Sequence, residues 1–186
     1  MIPAHFDARK RLAIDDVTKL TAINFGAGDY STDVARPLMD LPFKALTSVE
    51  AHQPTVMHIA TLRMATKMHV IEPTDISTWD DPRDYDVAFL FDVIEHLYRI
   101  DAIKLLDWLD EHIKKKVVMF VPLEPEGFHR QSPDDTNPYQ EHLSHWTEQD
   151  FISRGYKTEV INDCHSEPDG RGGFFHFGAV WAVKNQ

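Results

Sequence analysis

One cysteine, Cys164, is all that 186 residues contain, so no intramolecular disulfide framework and no cysteine-rich zinc site can form. Cations are also scarce: 19 Lys and Arg stand against 30 Asp and Glu, a formal net charge of −11. That balance works against nonspecific nucleic-acid or anionic-membrane binding, both of which need clustered lysine and arginine. The longest basic run, Lys114 to Lys116, is expected to close a helix, where cations meet the negative end of the macrodipole. No charged-then-apolar leader and no long apolar run stand near the N-terminus, so a reducing, cytoplasmic setting is the expectation. Internal repeats and low-complexity segments are missing too, and the length fits one α/β domain spanning 1–186.

What is present is an alternation of apolar runs and helical periods. A lead-in helix is expected over 8–19 and a first strand over 20–25. The next helix has Ser31, Thr32 or Asp33 as its cap, with Pro37 tolerated near its first turn. A strand over 45–50, a helix over 54–65 opened by Pro54, and strands over 67–71 and 85–91 follow. From Arg99 to Lys115, apolar Ile100, Ile103, Leu106, Leu109 and Ile113 recur at three- and four-residue steps, which predicts a helix buried along that stripe. VVMFV at 117–121 is apolar throughout, as a strand covered on both faces should be. Thr147, with Glu148 and Asp150 behind it, caps a helix over 147–154. Strands near 156–162 and 174–183, separated by a Gly-rich turn at 169–173, complete the reading. The order implies a doubly wound sheet with a ligand crevice at the carboxyl ends of its strands. Residues 122–146, rich in Pro, Asn, Asp, Gln and His, read as a lid or substrate loop.

The chemistry concentrates at those strand ends. TAINFGAGDYS, residues 21–31, runs an apolar strand into Gly26 and Gly28, a turn that exposes main-chain N–H groups to a ligand. Glu50 ends the second strand about twenty residues on, the spacing at which an acid meets both ribose hydroxyls. Asp75 follows the third strand, and Asp92 and Glu95 follow the fourth. A dinucleotide would set its pyrophosphate against Asp29, and the third glycine of that fingerprint is replaced by Ser31. A sulfonium and an ammonium suit the rim of Asp29, Asp92 and Glu95, so S-adenosylmethionine is the expected cofactor.

These residues resemble the class I S-adenosylmethionine-dependent methyltransferases over roughly 20–183. NFGAGDY is similar to the family's first motif, Glu50 to its ribose-binding acid, and Asp75-Ile76 to the pair that contacts adenine. YDVAFLFDVIEHL resembles the fourth-strand motif of the small-molecule branch, which ends in a Glu-His pair and puts Phe91 and Asp92 on the cofactor side. VMFVPLEPEG is similar to the fifth strand and its exit. The resemblance implies a Rossmann-like, mostly parallel seven-stranded sheet with helices on both faces and an antiparallel last strand. It departs at Asn24, where the family has an acid, and at Tyr30, which either walls the pocket or blocks it. An Asn/Asp-Pro-Pro-aromatic motif does not follow strand four, which disfavours methylation of DNA bases.

The implied reaction is in-line methyl transfer to a small-molecule or sugar-like acceptor, with His96, His142 or His145 as general base. Eleven histidines raise a metal reading, with Glu141, His142 and His145 close enough to hold ligands on one side of a turn. No tight His-Glu-x-x-His pattern occurs, and no metal is expected. Trp108, Trp146 and Trp181 are expected in the core or an interface, although Phe128, Tyr139 and Trp146 would shield the methyl group if the loop closed over the crevice. Two alternatives stand beside the enzyme: a catalytically silent module of the same fold, and an NAD-dependent oxidoreductase. Oligomeric state is not legible.

Overall fold

The computed structural model describes residues 8–125, 137–168 and 173–186. Among these residues, seven strands form one sheet in the order β3-β2-β1-β4-β5-β7-β6. They are β1 (Thr21–Phe25), β2 (Ala45–Val49), β3 (His69–Glu72), β4 (Tyr85–Phe91), β5 (Ile113–Leu123), β6 (Lys157–Pro168) and β7 (Phe174–Asn185). β1 to β5 pair in parallel, whereas β7 inserts antiparallel between β5 and β6. The expected sheet is therefore the observed one. Most of the expected Gly-rich turn, 169–172, lies outside the described residues.

Both faces of the central strands are buried, which explains their unbroken apolar runs. Val87, Phe89 and Phe91 of β4 and Val118 and Phe120 of β5 pack on one side with α1 (Ala8–Leu12) and Ile59 of α2 (Gln53–Ile59). Ala88 and Leu90, with Val117, Met119 and Val121, pack on the other against α3 (Arg99–His112) and α4 (Glu148–Ile152). The period-two alternation of the strands sends neighbouring residues to opposite cores.

Several helices depart from expectation. The lead-in helix stops at Leu12 because Ala13 takes a positive φ of 47°, and Asp16 then draws the Thr18 N–H into a local turn at 2.9 Å. No α-helix follows β1. Ser31 N–H donates to Asp29 Oδ1 at 2.8 Å, Thr32 Oγ1 accepts from Ala35 N–H at 3.1 Å, and only a short 3-10 helix, Arg36–Asp40, forms. Pro37 has no N–H to extend an α-ladder through this stretch. α2 keeps Pro54 in its first turn but ends at Ile59, where Thr61 Oγ1 donates to the His58 carbonyl at 2.7 Å.

α3 buries Ala102, Leu105, Leu106 and Leu109, while Ile100 is 65% and Ile103 38% exposed. The expected stripe thus shares Leu106 and Leu109 with the buried face but omits Ala102 and Leu105, which complete it. The Lys114–Lys116 run does not close this helix. It opens β5, where Lys116 Nζ donates to the Leu12 carbonyl at 2.7 Å and Lys115 pairs with Asp86 at 3.6 Å. At α4 the cap is as expected: Thr147 and Asp150 bond reciprocally in a capping box. Among the described residues no helix is long and apolar enough to cross a membrane.

Candidate active site

Parallel order brings the exits of β1 to β5 to one edge, where they surround a cavity of about 600 Å³. That volume suits a nucleoside-sized ligand. Asn24, Gly26, Gly28, Asp29 and Glu50 line it from β1 and β2, Asp75 and Ile76 from the loop after β3, and Phe91, Asp92 and His96 from the exit of β4. His142 lines it from the segment before α4. His145 does not; its Nδ1 lies 3.4 Å from Glu124 Oε2, behind the wall.

The β1 turn is built for close approach. Gly26 and Gly28 both have φ of +55°, a conformation that costs an L side chain dearly. A Cβ at Gly26 would meet Val93 Cγ2 at 2.7 Å, whereas nothing stands within 4 Å of one at Gly28. Gly28 therefore leaves open space that a side chain would enter. Its N–H donates to Glu50 Oε2 at 3.0 Å, and Glu50 Oε1 accepts from His52 N–H at 2.8 Å. Asp75 Oδ1 accepts from Ser77 N–H at 2.9 Å, which orients the loop that carries Ile76.

Tyr30 walls the cavity rather than blocking it. Positive φ (57°) turns its side chain into the buried cluster between sheet and α1, where Oη bonds Ser48 Oγ at 2.7 Å and accepts from Asn24 Nδ2 at 3.1 Å. Ser48 Oγ also bonds His69 Nε2 at 2.8 Å. Burial, partly countered by these bonds, holds the Tyr30 phenol above its ordinary value and therefore neutral. Asn24 Oδ1 is left buried with no hydrogen-bond partner on the cavity wall. An orphaned acceptor there is complementary to a hydrogen-bond donor in the cavity, such as an ammonium group.

The far wall is polar and more deeply buried. Glu95 is 1% exposed, and neither carboxyl oxygen has a hydrogen-bond partner. Burial, with repulsion from Asp92 and Glu124, pushes its carboxyl well above the ordinary 4.5. His96 Nδ1 bonds the Glu141 carbonyl at 3.1 Å, leaving Nε2 3.9 Å from Glu95 Oε1. His142 Nδ1 bonds Glu124 Oε1, and its Nε2 is buried without a partner.

The segment 141–146 is clamped onto the exit of β4. Leu143 and Ser144 N–H groups both donate to the Glu95 carbonyl, at 2.7 and 3.0 Å. Ser144 Oγ donates to the Ile94 carbonyl at 3.0 Å, and the Arg99 guanidinium lies 3.7 Å over the Trp146 ring. Trp146 is accordingly in the core, stacked on Phe151, and does not reach the crevice. Tyr139 lines the cavity, and Phe128 lies outside the described residues. The sequence grouping of Glu141, His142 and His145 is not the one the fold makes. Glu141 contributes a carbonyl, and His142 meets Glu95 and His96 instead.

Glu124 escaped notice in the sequence, although it follows a strand end as Asp92 does. The same rule that picks out acids at strand exits would have found it. His165 and Phe177, which also line the cavity, come from β6 and β7, whose antiparallel entry places them beside a crevice that no local pattern marks.

No protein-family model matches the chain, and no curated protein does either. Solved structures do match. The complex titled DhpI-SAM-HEP aligns with a TM-score of 0.64 at 11% identity, covering 94% of this chain and 83% of that one. An S-adenosylmethionine-dependent methyltransferase from Clostridium acetobutylicum gives 0.60 at 16%, covering 97% and 89%. The small RNA methyltransferase HEN1 gives 0.58 at 16%, with 91% of this chain matching 23% of that one. The chain has the class I S-adenosylmethionine-dependent methyltransferase fold.

Proposed function

We propose that the protein is an S-adenosylmethionine-dependent methyltransferase acting on a small-molecule or sugar-like acceptor. One observation carries this reading. Beside the buried Glu95, four carboxyl groups, Asp29, Glu50, Asp75 and Asp92, line a single cavity, and no lysine or arginine is among the described residues lining it. Such a wall attracts a cationic nucleoside and repels a diphosphate, and the missing helix after β1 removes the dipole that would offset the repulsion. When bound, S-adenosylmethionine would supply an electrophilic methyl group carried on a sulfonium.

The chain's own residues divide the remaining work. Glu50 accepts from the ribose hydroxyls, while Asp75 and the Ile76 main chain face adenine. Asn24 Oδ1, with Asp29 and Asp92 lining the same cavity, takes the ammonium end. Gly26 and Gly28 keep the turn close to the ligand, and Phe91 packs beneath it. Holding the acceptor in line with the methyl group is worth up to ~7–11 kcal/mol, so placement outweighs any single polar group. His96 and His142 face the acceptor's side of the cavity, and His145 steadies Glu124 from outside. A net charge of −11 supports a small acceptor over a polyanion. The fold leaves the acceptor open, since its relatives include a protein titled as a small RNA methyltransferase.

Calorimetric titration with S-adenosylmethionine tests the reading. A saturable one-site isotherm, reproduced by S-adenosylhomocysteine and not by NAD, is the expected result. Silence with both adenosyl compounds would leave the fold as a binding module, and a response to NAD alone would make it an oxidoreductase.

A further inference from the structure

Three side chains that no local motif unites face one another on the polar wall. One donor atom each from Glu95, His96 and His142 lies within 4.8 Å of the other two. What each atom presents matters more than the spacing. His142 gives its Nδ1–H to the Glu124 carboxylate and His96 its Nδ1–H to the Glu141 carbonyl. In the neutral form of either ring, a hydrogen on Nδ1 leaves the lone pair on Nε2. His142 Nε2 and both Glu95 oxygens are buried with no partner. The His142 Nε2 and Glu95 oxygens thus meet with nothing bonded to them, an arrangement that costs desolvation unless a proton or a cation stands between them.

We infer that Glu95, His96 and His142 form a binding site for a first-row divalent transition-metal ion whose open side faces the cavity. Two imidazoles and one carboxylate select such an ion over Mg²⁺ or Ca²⁺, which prefer oxygen shells. Ligands about 2.0–2.2 Å from a tetrahedral ion sit roughly 3.3–3.6 Å apart, so a pair at the 4.8 Å limit closes by roughly 1.2–1.5 Å on binding. Small side-chain rotations supply that movement. The Glu124–His142 bond is the carboxylate support that metal-binding histidines use to fix ring and tautomer. The exit of β4 and the segment before α4 are already joined by the Leu143 and Ser144 bonds to the Glu95 carbonyl, so the ligands are ordered before the ion arrives. An ion held there offers its remaining positions to an oxygen or nitrogen donor of whatever ligand fills the cavity. This assignment does not depend on the cofactor, and it replaces the expectation that no metal is bound.

The test is calorimetric titration of chelator-stripped protein with Zn²⁺, with a parallel series in Mg²⁺ and with thermal melts at each metal level. One tight equivalent of Zn²⁺ that raises Tm, and no comparable Mg²⁺ binding, is expected. Glu95→Gln, which keeps volume and fold, weakens that equivalent by at least ~100-fold, and His142→Ala abolishes it. Glu124→Gln, acting through His142, weakens it by ~10- to 100-fold. His176→Ala, at an exposed surface pair with Asp163, leaves it unchanged. Binding that survives in Glu95→Gln would assign the Zn²⁺ to surface histidines and overturn the site. So would the absence of any tight equivalent, which would mean a proton on Glu95 fills the gap. Neither result bears on the adenosyl titration, so the two readings fail separately.

Discussion

The main-chain N–H of Gly28 donates to Glu50 Oε2 at 3.0 Å, tying the turn after β1 to the end of β2 across 22 residues. The same carboxylate holds the His52 N–H at 2.8 Å. Glu50 therefore shapes the turn as well as facing the cavity. Glu50→Gln loses charge-assisted bonds worth about 1.5–3 kcal/mol, and affinity for S-adenosylmethionine falls ~10- to 150-fold by calorimetry.

The two glycines of that turn separate on substitution. Gly26→Ala combines positive φ with a Cβ 2.7 Å from Val93 Cγ2, so it lowers stability by ~1–3 kcal/mol in urea denaturation. Gly28→Ala carries the backbone cost without the clash and loses less. Its methyl group enters the cavity instead, and the larger effect appears in cofactor affinity.

Arg99 anchors the segment that carries His142. It donates to the His145 carbonyl at 2.7 Å, pairs with Asp150 and lies 3.7 Å over Trp146. Arg99→Ala removes all three contacts and destabilises the protein by ~1–3 kcal/mol. Amide hydrogen exchange at 143–147 rises more than the global loss accounts for. Arg99→Lys does not restore protection, because an ammonium cannot stack and fork together.

Asp150 sets a pH dependence. Burial would raise its carboxyl, but bonds from Thr147 and the Arg99 guanidinium outweigh that and hold it below the ordinary 3.8. A depressed folded-state value means the contribution is fully present above 3.8 and fades as pH falls through the folded-state value. Denaturation of wild type and Asp150→Asn from pH 6 to pH 3 should show a gap that is constant at the upper end and narrows below about 3.8. A gap that widens on acidification would contradict the sign.

Much was readable along the chain because its causes are local. Apolar runs marked strands that are covered on both faces, paired glycines marked the turn after β1, and Thr147 with Asp150 marked a cap. Each depends on residues a few positions apart. Where local signals competed, the reading failed: side-chain bonds from Asp29 and Thr32 with Pro37 displaced a helix, and Ala102 and Leu105 took the face that Ile100 and Ile103 seemed to own on paper.

The acids at the strand exits could be named from order and spacing, since parallel strands joined by crossovers must end on one edge. The pairing of His142 with Glu124, and its meeting with Glu95 and His96, could not. It depends on how β5 lies beside β4 and how the segment before α4 folds back onto the β4 exit, and both are outcomes of packing over distances at which sequence spacing carries no information.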